Sequence, residues 1–437
     1  MSMAALSLEQ APPISVPFRF FLSAPLFLLL AATAWLLAGS DALASRWTPA
    51  MLGITHLLTL GFMAMIMCGA MLQLLPVLAG APVPHPRLVA WLIHLPLLGG
   101  TLLLAYGLYF YAALPLKLAM LLLAFALAAF LLAAIYSLAR APARNDSTRA
   151  MLLALAALTL TLGLGLLLAA GVANLATIPV LSLTALHAAW GLLGWTALLV
   201  AGVAYQVVPM FQLTPAYPRL ATRWLAASLF VLLLLWSAHP LLPDDAASLL
   251  ARLAGMGIAV CLGVFAILTL HLQFKRKRRV ADVTRQFWQL GMASLLAAIV
   301  LWLGAQASTA IAASAAFPLV LGMLFILGFA LSVIIGMLYK IVPFLIWFHL
   351  QSILPAKQVP HMKEIIADSG ARWHLRAHLL CLPLFLLSTL WLQPWMYAAG
   401  AALMLNGILL LGNLYRALRR YLRGASLAAA SSAAGKQ

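Results

Sequence analysis

Acidic residues are scarce in this chain: eight Asp and Glu stand against 26 Lys and Arg in 437 residues, and charged residues together make up 8%. All eight (Glu9, Asp41, Asp146, Asp244, Asp245, Asp282, Glu364 and Asp368) fall between or beyond the apolar runs. No acid is therefore expected inside the membrane as a proton relay or cation site, which argues against proton pumping and disfavours carboxylate-coupled transport. Cysteine is equally sparse. Cys68, Cys261 and Cys381 stand alone in apolar runs without a C-x-x-C pair, so neither a redox dithiol nor a zinc site is expected, and buried thiols are the better reading. The first sixteen residues lack a basic n-region and a small-residue cleavage site, and no cleaved signal peptide is expected.

What is abundant is apolar surface. Hydrophobic residues make up 65% of the chain, a balance that a water-soluble protein of this length cannot carry on its surface. Runs long enough to cross a hydrocarbon core of about 30 Å lie near 19–39, 51–79, 88–112, 115–138, 150–172 and 183–210, then 222–240, 249–272, 287–308, 316–347, 376–393 and 396–417. The expected fold is all-α, a polytopic transmembrane bundle of twelve helices in a bilayer of lipids. The formal charge of +18 is read as a topology signal and not as a nucleic-acid footprint. With a cytoplasmic N-terminus, the outer loops hold only Arg46, Lys117 and Arg252, leaving 26 − 3 = 23 basic residues at the inner face. This predicts cytoplasmic termini in a bacterial-type inner membrane. The inner basic residues include Arg140, Arg144, Arg149 and the run Lys275 to Arg279, where topology suffices as explanation and anionic headgroups are the alternative.

One pattern is written three times. Gly61-Phe62, Gly69, Leu72, Gln73 and Pro76 recur as Gly194-Trp195, Gly202, Tyr205, Gln206 and Pro209, and as Gly328-Phe329, Gly336, Tyr339, Lys340 and Pro343. The copies start 133 and 134 residues apart, which predicts three units of four spans: 17–149, 150–285 and 286–423, between a short segment 1–16 and a disordered tail 424–437. Glycines eight apart fall within about 80° on a helix. Gly61 with Gly69, and Gly194 with Gly202, would therefore open a shallow strip for a flat cofactor or, alternatively, for a tightly packed helix. The closing proline is expected to mark the helix end. Lys340, a charge well inside an apolar run, is expected to snorkel, with substrate binding as the alternative.

Histidines distinguish the copies. His56 precedes Gly61 by five residues and His187 precedes Gly194 by seven, while the third copy has Met323 and Leu321 at those offsets. His239, before Pro240, lies on the same expected side. An imidazole at such depth either bonds a neighbouring carbonyl or ligates a metal, and histidine serves both haem and copper. His94, His271, His349, His374 and His378 fall toward the inner face, where solvated or headgroup-facing roles are expected.

Twelve spans in three groups of four, with histidines toward the outer ends of the second and sixth, resemble the haem-copper oxidase subunit I superfamily. Thr55-His56 leading to Gly61-Phe62, and Pro17-Phe18-Arg19-Phe20-Phe21, are similar to the NnrS family of haem-and-copper membrane proteins, associated with resistance to nitric oxide stress. The resemblance implies that His56 is an axial ligand of a haem b, that His187 stands where a copper ligand is found, and that His239 lies near a seventh-span ligand pair. Two departures follow: the tenth span lacks a histidine pair, and Pro240 replaces a second seventh-span histidine. A complete oxygen-reducing or nitric-oxide-reducing centre is not expected. The implied protein holds haem through His56, with His187 or Met323 as second ligand, possible copper at His56, His187 and His239, and an electron-transfer or respiratory partner. It passes electrons or responds to a diatomic gas. A permease for a small solute and a cofactor-free structural subunit of a respiratory complex are the competing readings.

Overall fold

A computed structural model describes residues 11–142, 145–277, 282–390 and 394–434. Glu9, Arg144, Arg278, Arg279 and the last three residues lie outside these. Regular structure among the described residues is entirely helical, and twelve helices are long and apolar enough to span a bilayer. We number them α1 (Ser15–Ala38), α2 (Pro49–Val77), α3 (Pro86–Tyr109), α4 (Ala113–Ala139), α5 (Asp146–Val172), α6 (Val180–Gln212), α7 (Arg219–Leu241), α8 (Asp244–Phe274), α9 (Val283–Ala307), α10 (Ala316–Gln351), α11 (Ala356–Leu390) and α12 (Trp395–Ala430). The chain is a multi-pass membrane protein.

Local chemistry places the starts. Thr48 accepts the Met51 N–H ahead of Pro49 at the first position of α2. Asn145 and Thr148 form a reciprocal capping box at α5, and Asp282 accepts the Thr284 N–H at α9. The eleventh span begins earlier than its apolar run, because Asp368, Arg372 and His374 interrupt hydropathy without interrupting the helix. Pro343 does not end α10, which continues to Gln351. Within the segment 424–437 expected to be disordered, the last helix runs on to Ala434, since alanine is the strongest helix former and Gly424 seats against Leu350 and Leu354, and 435–437 lie outside the described residues.

The three helices that carry the repeated pattern form the centre. Of their most apolar stretches, 83% (α2), 72% (α6) and 83% (α10) is buried, against 22–50% in the other nine helices. Each packs along the first helix of its group, α2 on α1, α6 on α5 and α10 on α9. Glycines set that contact. A Cβ at Gly61 would overlap the Phe27 ring, and one at Gly69 would lie 2.6 Å from Phe20 Cβ. Gly194 and Gly202 would meet Ala157 Cβ at 2.8 Å and Ala150 Cβ at 2.7 Å. Gly328 and Gly336 would meet Ser294 Cβ at 2.6 Å and Phe287 Cβ at 2.8 Å. In every case the partners are seven residues, or two turns, apart. The glycine strips are therefore filled by helices, and Gly61, Gly69, Gly194 and Gly202 have no surface left for a flat ligand.

All three central helices leave α geometry at the same place. Leu57–Ala64, Trp190–Ala197 and Leu324–Leu331 are π-helical, each running from four residues before the motif glycine to three after it. A π turn carries one extra residue, so side chains above it are rotated relative to those below by about 100°. His56 and Met323 immediately precede their π segments, and His187 precedes its own by three residues.

Lys340 does not simply snorkel. Its Nζ lies 3.0 Å from Asp282, the residue that caps α9. Asp282→Ala removes both the ion pair and the cap, and is expected to lower stability by about 1–2 kcal/mol. Lys340→Met removes only the pair. A larger fall in the thermal midpoint in detergent for Asp282→Ala than for Lys340→Met checks this assignment.

Candidate functional site

The N-terminal halves of α2, α6 and α10, together with parts of α4, α5, α8 and α9, line a largely apolar cavity of about 590 Å³, whose wall includes His56, His187, Met323, Arg46, Trp47 and Thr196. Its size lies within the range of small-molecule and cofactor sites, about 300–1,000 Å³.

His56 Nδ1–H donates to the Leu52 carbonyl one turn back, at 2.8 Å. His187 Nδ1–H donates across to Thr161 O on α5, at 3.1 Å. A carbonyl oxygen can only accept, so both protons sit on Nδ1 and both lone pairs on Nε2. This arrangement fixes tautomer and ring orientation in histidines that bind metals. The ring centres are 6.2 Å apart with planes inclined by 24°. Metal–imidazole bonds of about 2.0–2.1 Å place two rings roughly 6 Å apart when they ligate one ion from opposite sides. Gly165 on α5 makes room for this pairing, because a Cβ there would lie 3.0 Å from His187 Cε1. Gly165→Leu is therefore expected to displace the His187 ring while leaving the bundle folded. A shifted imidazole NMR resonance for His187 beside an unchanged gel-filtration profile is the check.

Met323 lies on the cavity wall and is buried. His239 is not on that wall: its Nδ1–H donates to Trp236 O at 2.6 Å, and its ring lies 5.5 Å from the Trp236 ring, which itself faces the cavity. The 3-10 turn over His239–Leu241 directs the imidazole back onto its own helix end, so the expected third ligand is not brought to His56 and His187. The four strip glycines are likewise absent from the wall; Gly165, Gly191, Gly255 and Gly322 line it instead. No cluster of three or more His, Cys, Asp or Glu suited to a metal ion occurs among the described residues.

Arg46 went unrecognised as a site residue in the sequence because it read only as a rare outer-loop charge. It lies 4.6 Å over the Trp47 ring and is the one Lys or Arg on the cavity wall. Burial lowers its pKa from the ordinary value, yet a guanidinium stays charged at neutral pH.

The inner histidines differ from expectation. His374, His378 and His94 are buried between helices, not solvated. His378 donates from Nδ1 to Asn406 Oδ1 at 3.0 Å and accepts the Ser332 hydroxyl at 2.8 Å. Asn413 donates to Tyr339, whose hydroxyl donates in turn to His374 Nδ1 at 2.7 Å. Helical spacing placed His374 and His378 on one face. Their partners come from α10 and α12, far away in sequence, which is why hydropathy alone misassigned them.

Compared with protein-family models and with curated proteins, the chain matches none.

Proposed function

We propose that this protein is an integral membrane haem protein that passes single electrons, with His56 and His187 as the two axial ligands of one haem b. The observation that carries the reading is the imidazole pair, whose Nε2 lone pairs are left free by carbonyl-bonded Nδ1 atoms beside a cavity of cofactor size. Two protein nitrogens are too few for a closed tetrahedral zinc or copper site, but they complete the coordination of a haem iron. Haem, when bound, supplies a one-electron couple. His56 and His187 would hold it through their Nε2 atoms, and two protein ligands would favour electron transfer over diatomic-gas binding. Arg46 offers a cation to the carboxylate edge of such a ligand, and the rest of the wall is largely apolar.

Met323 favours a second reading. With two imidazoles and a thioether on one wall, the set suits Cu(I). A lone ion does not need a cavity of about 590 Å³, so haem is preferred. The three π segments in one register, and the three like-spaced glycine contacts, support descent from one four-helix unit repeated three times, as in the oxidase-like and NnrS-like proteins that the motifs resemble.

Oxidised and reduced absorption spectra with metal analysis of the full chain, purified from haem-replete cells, test the proposal. A Soret band with one iron per chain is expected. Copper without a Soret band favours the second reading, and neither metal overturns both.

A further inference from the structure

A second polar cluster lies away from the cavity, where α1 and α3 begin. Arg19 on α1 lies 4.0 Å over the ring of Trp91 on α3, which is half exposed, and the same ring is 6.4 Å from His94. Ser23 ties the two helices: its hydroxyl donates to Arg19 O at 2.8 Å and so accepts from His94 Nε2–H at 2.8 Å. His94 Nδ1 is left with a bare lone pair, and it has no partner although the residue is 93% buried. Arg19 Nη1 is also buried without an acceptor, its Nε alone being bonded, to Ser15 O at 3.0 Å. No carboxylate pairs with Arg19 among the described residues. Exposed Arg87 stands one turn before Trp91 on α3.

A cationic donor lacking an acceptor and an imidazole acceptor lacking a donor share one aromatic neighbour at a membrane interface. We infer that this cluster is a binding site for an anionic phospholipid whose headgroup also bears a hydroxyl, as in phosphatidylglycerol. The phosphate oxygens accept from the Arg19 guanidinium, and the headgroup hydroxyl donates to His94 Nδ1. Trp91 holds the guanidinium flat at interface depth, and Arg87 adds attraction from the headgroup layer. Basic pockets between membrane helices commonly select such headgroups.

Native mass spectrometry of the full-length protein released from detergent tests this. With phosphatidylglycerol and phosphatidylcholine supplied equally, one phosphatidylglycerol per chain is expected to be retained. Arg19→Gln should weaken that retention by about tenfold, the worth of a charge-assisted hydrogen bond, while Arg252→Gln, near the start of α8, should leave it unchanged. Trp91→Leu, which alters a half-exposed side chain, should also weaken retention and serves if Arg19→Gln does not accumulate. Equal retention of both lipids, or no loss on either substitution, overturns the inference. Displacement of the bound lipid by millimolar glycerol phosphate would show that the site serves a soluble phosphate ester, and overturns the lipid assignment.

Discussion

On the proposed haem site, His56→Ala is expected to reduce the Soret absorbance of the purified protein to below about a tenth of wild type, because it would remove one of the two imidazoles that would hold the haem. His187→Ala should lose haem or keep it with a shifted spectrum, since only thioethers such as that of Met323 remain on the wall to take the place of the second imidazole. His239→Ala should leave the spectrum unchanged, as that imidazole bonds its own helix end and does not face the cavity. The three variants together separate ligand from bystander. Unaltered spectra in both His56→Ala and His187→Ala would sink the paired-histidine site even if haem is present.

The second large effect concerns packing. Gly61→Ala places a methyl group in the Phe27 ring, and overpacking of this kind costs about 1–3 kcal/mol when the neighbour cannot move. Phe27 cannot move easily, being 2% exposed between α1 and α2. A marked fall in folded yield and thermal midpoint is expected. The second copy allows a cleaner test, because its contact is glycine against alanine. Gly194→Ala alone should destabilise, whereas Gly194→Ala combined with Ala157→Gly removes as much volume as the first change adds and should recover most of the midpoint. A double variant no more stable than the single one would show that the contact does not set this helix pair.

The two effects are linked through the π segments. The glycines hold the lower part of each central helix against its neighbour, and the extra residue of each π turn sets the rotation of what lies above. Deleting one residue within 57–64 would restore α geometry and swing His56 away from His187 by about 100°.

Much of this protein was legible in its sequence. Twelve spans, the three copies of the glycine pattern, and the singling out of His56 and His187 follow from hydropathy and spacing, which report what each segment must bury. Neither the α-to-π switch nor its common register was legible, because backbone register inside a continuous apolar run leaves no mark in composition. Helical periodicity says which residues share a face but not what covers that face. It could not decide whether Gly61 and Gly69 admit a cofactor or Phe27 and Phe20, and only the packing of α1 on α2 decided it. For the same reason Lys340 found Asp282, and His374 found Tyr339, across the bundle. The sequence by itself determined that the chain crosses the membrane and where imidazoles enter it. The tertiary structure decided which imidazoles meet, since a 6.2 Å approach between α2 and α6 depends on α5, whose Gly165 gives the His187 ring its space and whose Thr161 carbonyl fixes its tautomer.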